Sequence, residues 1–142
     1  MILVADSGST KTNWIAINDK GETYFKIDTE GLNPAVFTKK TLYDRIITKE
    51  ELREIKDEVK EIYFYGAGCG TQKAVLYLKA IFEDIFTNAY IEIYEDTIAA
   101  VKSLQTDTTV VVCILGTGSN FSYFYVKETH LKILSLGYLL MD

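Results

Sequence analysis

The chain of 142 residues is poor in several features that would otherwise decide its class. It holds one proline, Pro34, which excludes proline-rich linkers. Its two cysteines, Cys69 and Cys113, stand far apart and form no CxxC pair. They fit reduced thiols better than a disulfide framework. No run reaches the ~18 consecutive apolar residues that a membrane span needs. The opening Met1-Ile2-Leu3-Val4-Ala5-Asp6 has no basic region and meets a carboxylate too early for a secretory signal. The expectation is a cytoplasmic protein with no membrane partner. Internal repeats and low-complexity tracts are also lacking.

What is there is an ordinary globular balance, 48% hydrophobic and 25% charged, in place of a disordered one. The formal net charge of -5 repels phosphate backbones and argues against nucleic acid as a partner.

Ile2–Ala5 reads as a buried strand. Asn13–Asn18 reads as a second, with Trp14, Ala16 and Asn18 on one face. Thr23–Ile27 is a third, so the opening is an antiparallel meander. A helical stretch runs from about Thr38 to Ile47. Thr48 with Glu51 has capping-box spacing and predicts a new helix there. The charge run from Lys49 to Lys60 reads as a solvated helix face. Glu61–Tyr65 is a strand that enters Gly66-Ala67-Gly68-Cys69-Gly70. Gln72–Phe86 is an amphipathic helix with Ala74, Leu78, Ile81 and Ile85 on one face. Tyr90–Tyr94 is a strand and Thr97–Leu104 a short helix. The β-α-β-α order implies parallel strands. From about Thr108 the opening pattern recurs: Val110–Leu115, a Gly116-Thr117-Gly118-Ser119 turn, then strands over Asn120–Val126 and His130–Leu134.

The chemistry sits in the two turns. Asp6-Ser7-Gly8-Ser9-Thr10-Lys11-Thr12 is no Walker A loop, because Thr10 precedes the lysine and Ala5 takes the other glycine position. A tight turn between strands still aims N–H groups at an anion, as a nest does. In this reading Gly8 supplies close approach and positive φ. Ser9, Thr10 and Thr12 supply hydroxyls and Lys11 a point charge. Asp6 suits Mg²⁺ held through water. The plainer alternative is a polar hairpin with no ligand. The second turn, residues 116–120, repeats the chemistry at the matching place. Two such turns suit phosphoryl transfer, which needs mainly positioning and charge stabilisation.

These two motifs resemble the phosphate loops of the superfamily of actin, Hsp70 and sugar kinases. The ordered set is similar to the N-acetylglucosamine kinases of the BadF/BadG ATPase family. It comprises Asp6–Thr12, Gly31-Leu32-Asn33, Gly66-Ala67-Gly68-Cys69, Asp96 before Ile98-Ala99-Ala100, Gly116–Asn120 and Gly137-Tyr138-Leu139-Leu140. The resemblance covers essentially the whole chain. It implies an α/β, ribonuclease H-like (actin-like ATPase) lobe with a mixed five-stranded sheet over 1–107. The opening meander of a second such lobe would span 108–142. It implies ATP and Mg²⁺ as cofactors and a small amino sugar as substrate, phosphorylated on its 6-hydroxyl.

By position, Asp6 would support the metal. Gly8, Ser9, Thr10, Lys11 and Thr12 would face the phosphates from one side, and Gly116, Thr117 and Gly118 from the other. Asn33, Asp96, Ser119, Asn120 and Asp142 would bind the sugar, with Asp96 as general base. A carboxylate base also follows from the single histidine, His130, which lies in a late strand away from the turns. Asp96 has a plainer reading as a helix cap, and Asn33 before Pro34 as a turn former. Cys69 reads as a small buried hydrophobe. Tyr123, Phe124 and Tyr125 read as packing.

Where the family continues Gly-Asp-Glu-Gly-Ser, this chain has Met141-Asp142. Most of a second lobe is not in this sequence. The expectation is a C-terminally truncated kinase that is inactive alone. Its 108–142 meander would pair with another copy, pack on the first lobe or be poorly ordered. Two rival readings remain at this stage. One is an activator ATPase of the BadF/BadG type, for which Cys69 and Cys113 lack ligand-like clustering. The other is a non-catalytic sugar- or nucleotide-binding regulator.

Overall fold

A computed structural model describes residues 1–103, 110–115, 119–125 and 128–132. Two compact units divide the chain, Met1–Asp96 and Thr97–Asp142. The first is built on a five-stranded mixed sheet. Its strands are β1 (Ile2–Ser7), β2 (Lys11–Ile17), β3 (Thr23–Glu30), β4 (Glu61–Gly66) and β5 (Tyr90–Glu95), in the order β3-β2-β1-β4-β5. β1, β2 and β3 form an antiparallel meander, and β4 and β5 add in parallel beside β1. The α/β, ribonuclease H-like expectation is met.

α1 (Lys39–Ile47) and α2 (Glu50–Ile55) connect β3 to β4, and α3 (Gln72–Ile85) connects β4 to β5. Alternate strand residues are buried with these helices, as a period of two requires. Leu3, Ala5, Trp14, Ala16, Ile62, Phe64, Ile91 and Ile93 pack with Leu42, Ile46, Leu52, Ile55, Leu78, Ile81, Phe82 and Ile85. The aromatic centre is edge-to-face, with Phe64 and Phe82 ring centroids 5.3 Å apart at 83°, the geometry that ring quadrupoles favour. The Trp14 indole N–H reaches the Thr29 hydroxyl at 3.0 Å, so burying it leaves no donor unsatisfied.

Several boundaries differ from the sequence reading, among them the end of β3, which runs on to Glu30. β1 runs on through Asp6 and Ser7, and β2 starts at Lys11, so the first turn is only residues 8–10. The Ser7 and Thr12 hydroxyls meet at 2.7 Å inside the fold, which lets two polar residues extend the strands. Asn18 leaves β2 and accepts from the Lys20 and Glu22 N–H groups in the following turn. Thr48 does not open α2. Its hydroxyl turns back to the Asp44 carbonyl at 2.7 Å and closes α1, while Lys49 precedes α2 without a side-chain cap. The caps that do form are Thr38 on α1 and Thr71 on α3, each satisfying an orphan N–H of the first turn.

The second unit begins with the remainder of α4 (Asp96–Ser103). It also holds an antiparallel sheet of β6 (Val110–Leu115), β7 (Ser119–Tyr125) and β8 (Glu128–Lys132). Among the described residues no helix is long and apolar enough to cross a membrane.

Candidate functional site

The site grows from the carboxyl ends of the parallel strands. Ser7, Gly66 and Glu95 are register partners across β1, β4 and β5. The three strands therefore end level, and the turn at 8–10, the loop at 66–70 and Asp96 emerge at one edge. Ligands of open α/β sheets bind at that edge.

The turn at 8–10 is closed by the Gly8 N–H on the Lys11 carbonyl at 2.9 Å. Ser9 and Thr10 are exposed, and their N–H groups have no backbone partner among the described residues. The turn thus exposes two residues whose N–H groups and hydroxyls an anion could use. Gly8 plays a different part from the one expected. It has no positive φ, a conformation that among the described glycines belongs to Gly21 and Gly68. Its own N–H is spent in the turn, so what it contributes is bareness.

Thr12 is also corrected. It is fully buried, and its hydroxyl is shared between Ser7 and the Glu30 carbonyl, the latter at 3.2 Å. It braces the turn from behind and has no donor to spare for a phosphate. Lys11 reaches out at the edge of the turn and pairs with Asp28 at 2.7 Å, both side chains more than half exposed. Such a pair is worth little and exchanges readily.

Gly31 explains how the Asn33 loop comes to lie beside this turn. A Cβ on Gly31 would stand 2.4 Å from the Ser9 carbonyl oxygen. The two backbones touch there, and the Gly31 N–H bonds the Thr10 carbonyl at 2.8 Å. Asn33 follows, half-buried. Its Oδ1 accepts from the Ala35 N–H at 2.9 Å, so the turn-forming role is real. A Cβ on Gly68 would sit 2.0 Å from that same Oδ1. The 66–70 loop therefore closes on the Asn33 amide only because residue 68 is glycine, which also takes φ of 82°. Among the described residues the Asn33 Nδ2 donates to none.

Asp96 is the first residue of α4, one position inside the cap expected for it. A carboxylate in a first turn is favoured by the helix dipole. Cys69 lies within electrostatic reach of Asp96 and Glu95. Burial first, and then these two carboxylates, push its thiol up from 9.0 to about 12. At neutral pH it stays a protonated, buried thiol, as its reading as a small buried hydrophobe expects.

On the face away from the helices, one row of register partners crosses the sheet: Asp28, Asn13, Asp6, Tyr65 and Tyr94. Asp6 is exposed, and Tyr65 and Tyr94 stack at 5.3 Å. Asn13 and the tyrosine pair escaped sequence reading. The signal for Asn13 was the alternation that puts it in phase with Lys11. No group of three His, Cys, Asp or Glu able to hold a metal occurs among the described residues. What β1 and the first turn offer a cation is the exposed carboxylate of Asp6. That fits Mg²⁺, which keeps waters and takes phosphate oxygens, and does not fit a protein cage.

Gly116, Thr117, Gly118 and Asp142 lie outside the described residues. Ser119 and Asn120 open β7 as register partners of Leu115 and Ile114, so three residues separate the paired strands there.

No protein-family profile matches the chain, and no curated protein matches it. Solved structures do. A Porphyromonas gingivalis protein assigned as a candidate N-acetylglucosamine kinase is 33% identical over 99% of this chain, with a TM-score of 0.84. The match covers 50% of that protein, so the chain spans about half its length. An inorganic polyphosphate/ATP-glucomannokinase from Arthrobacter sp. strain KM matches over 96% of this chain and 63% of its own. That match has 12% identity and a TM-score of 0.56, a likeness of fold.

Proposed function

We propose that this chain is the phosphate-turn and sugar-base part of an ATP-dependent sugar kinase acting on N-acetylglucosamine or a related amino sugar. Its fold is the actin-like ATPase fold of the sugar kinases. Its sequence is N-acetylglucosamine kinase-like over nearly its whole length. The observation that carries the reading is that likeness, 33% identity at a TM-score of 0.84. The level strand ends that gather Ser9, Thr10, Asn33 and Asp96 at one edge support it.

In this reading the Ser9 and Thr10 N–H and hydroxyl groups hold the phosphate chain, and Lys11 leaves Asp28 to join them. Asp6 holds Mg²⁺ through water, and Mg²⁺ when bound neutralises phosphate charge. The Asn33 Nδ2 donates to a sugar oxygen. Asp96 accepts the proton of the 6-hydroxyl as its oxygen bonds to the γ-phosphorus. The bond from that phosphorus to the β–γ bridging oxygen breaks and ADP leaves. Gly116, Thr117 and Gly118 complete the phosphate clamp, and Ser119, Asn120 and Asp142 add to sugar binding. Membership of the BadF/BadG family, a lobe boundary at 107/108, a cytoplasmic location and copy pairing through 108–142 belong to the same proposal.

The test is an amide-shift titration of the chain with Mg·ADP, N-acetylglucosamine, glucosamine and glucose. Saturable shifts at Ser9 and Thr10 with nucleotide, and at Asn33 and Asp96 with one amino sugar, are expected. Nucleotide shifts without any sugar shift would favour an activator ATPase. No saturable shift with any of the four would overturn the reading.

A further inference from the structure

Three polar backbone groups of residues 30–32 bond residues in or beside the first turn, and the Glu30 carbonyl also accepts from its neighbour's hydroxyl, Thr29, at 3.0 Å. The Thr12 hydroxyl donates to the Glu30 carbonyl at 3.2 Å. The Gly31 N–H donates to the Thr10 carbonyl at 2.8 Å. The Leu32 N–H donates to the Ser7 hydroxyl at 3.0 Å. The Gly31 carbonyl instead accepts from Arg45 Nη1 at 2.5 Å.

Arg45 comes from α1, on the other side of the segment. Its Nη2 pairs with Glu30 at 2.6 Å, and only 18% of its side chain is exposed. Its guanidinium carbon lies 3.8 Å from the centre of the Phe37 ring. One planar group thus stacks on a ring and forks to two acceptors, a geometry open to arginine and closed to lysine.

We infer that Arg45 is a positioning residue of the candidate site: it pins the Gly31 carbonyl and so fixes the Asn33 loop against the turn at 8–10. The inference rests on the phosphate reading of that turn. A sugar group and a phosphate chain held by two different loops react only if the loops keep their spacing, and an error of about 1 Å costs roughly a hundredfold in rate. Gly31 sits where the two loops touch, and Arg45 closes the contact from behind.

The experiment compares Arg45→Met, Arg45→Lys and Glu30→Gln with the parent chain. Three quantities are read: amide hydrogen exchange at Gly31 and Leu32, affinity for Mg·ADP and N-acetylglucosamine by shift titration, and thermal unfolding. Arg45→Met is expected to speed exchange at both amides and to weaken both ligands roughly tenfold, the scale of one lost hydrogen bond to a charged group. Arg45→Lys keeps the charge and recovers thermal stability while exchange stays fast. Glu30→Gln changes both affinities by less than about twofold, as an exposed ion pair should. If Arg45→Met does not fold, Arg45→Lys carries the same comparison. Unchanged exchange at Gly31 and Leu32, or affinities within about twofold of the parent for both ligands, would overturn the inference. A parent chain that binds neither ligand would instead overturn the kinase reading, and the inference with it.

Discussion

Successive residues of β1 and β2 go to opposite faces of one sheet, and the two sets meet different partners. Leu3, Ala5, Trp14 and Ala16 vanish into the helix layer with Phe64 and Phe82. Lys11, Asn13 and Asp6 turn the other way, beside Asp28, and are exposed. The helix face has its interactions already made: rings in contact, and the indole N–H on a hydroxyl. The other face carries the exposed Asp6 and Asn13 beside the Lys11–Asp28 ion pair. In the proposed reading, stability resides on one face and recognition on the other. Ser7 and Thr12 join them, since their buried hydroxyls hold the turn from the helix side.

The largest effect should come from breaking the helix face. Phe82→Ala removes the ring that meets Trp14, Phe64 and Phe86, and should cost about 3–5 kcal/mol in a urea unfolding experiment. A cost below about 1 kcal/mol would mean that this cluster is not the core. Gly31→Ala tests the join. No positive φ is involved, but the new methyl meets the Ser9 carbonyl, so the backbones must part. We expect a loss of about 1–3 kcal/mol together with lost amide shifts for nucleotide. An alanine variant with parent-like unfolding and titration would show that the contact is loose.

The meander, β4, α3 and β5 were legible because each carries a clean period of two or 3.6. The strand ends were not. Asp6, Ser7 and Thr12 have turn-like composition, and only the Ser7–Thr12 hydroxyl pair, made across two strands, turns them into strand. Thr48 shows the same limit. Its spacing to Glu51 permits a cap on α2, yet its hydroxyl closes α1 instead, and local sequence allows both. Of the site, Ser9, Thr10, Asn33 and Asp96 were visible as motifs. Arg45 was invisible, because Gly31, Glu30 and Phe37 reach it only once α1 has packed beside β3.

Asp6→Asn should sharpen the comparison from the recognition side. The exposed carboxylate has no ion pair among the described residues, so unfolding should move by less than about 0.5 kcal/mol. Mg²⁺-dependent nucleotide affinity should fall roughly tenfold or more, read by titration with and without metal. A large stability change with intact affinity would reverse the roles of the two faces. A smaller effect belongs to Lys11→Met. It should weaken nucleotide a few-fold, and losing the exposed pair with Asp28 should cost no more than about 1 kcal/mol. Equal affinity in this variant would take Lys11 out of the phosphate site.

The smallest effect at neutral pH, and the one that separates burial from hydrogen bonding, concerns two groups raised to about 12. Cys69 rises from 9.0, mainly through burial. Tyr63 rises from 10.0, mainly through its hydrogen bond to Glu61. In both cases the folded chain keeps a proton that the unfolded chain releases. Stability contributed this way is fully present below the unfolded pKa. It falls as pH climbs from about 9 for the thiol and about 10 for the phenol, and levels off near 12. Urea midpoints measured from pH 7 to 11 should therefore drop above pH 9. Cys69→Ala should differ from the parent by a constant offset up to pH 9 and then lose stability less steeply. Tyr63→Phe, on the opposite face, should leave the slope between pH 9 and 10 unchanged and flatten it only above. Parallel curves for the parent and Cys69→Ala throughout that range would mean that the thiol ionises in the folded chain, and that water reaches the loop behind the site.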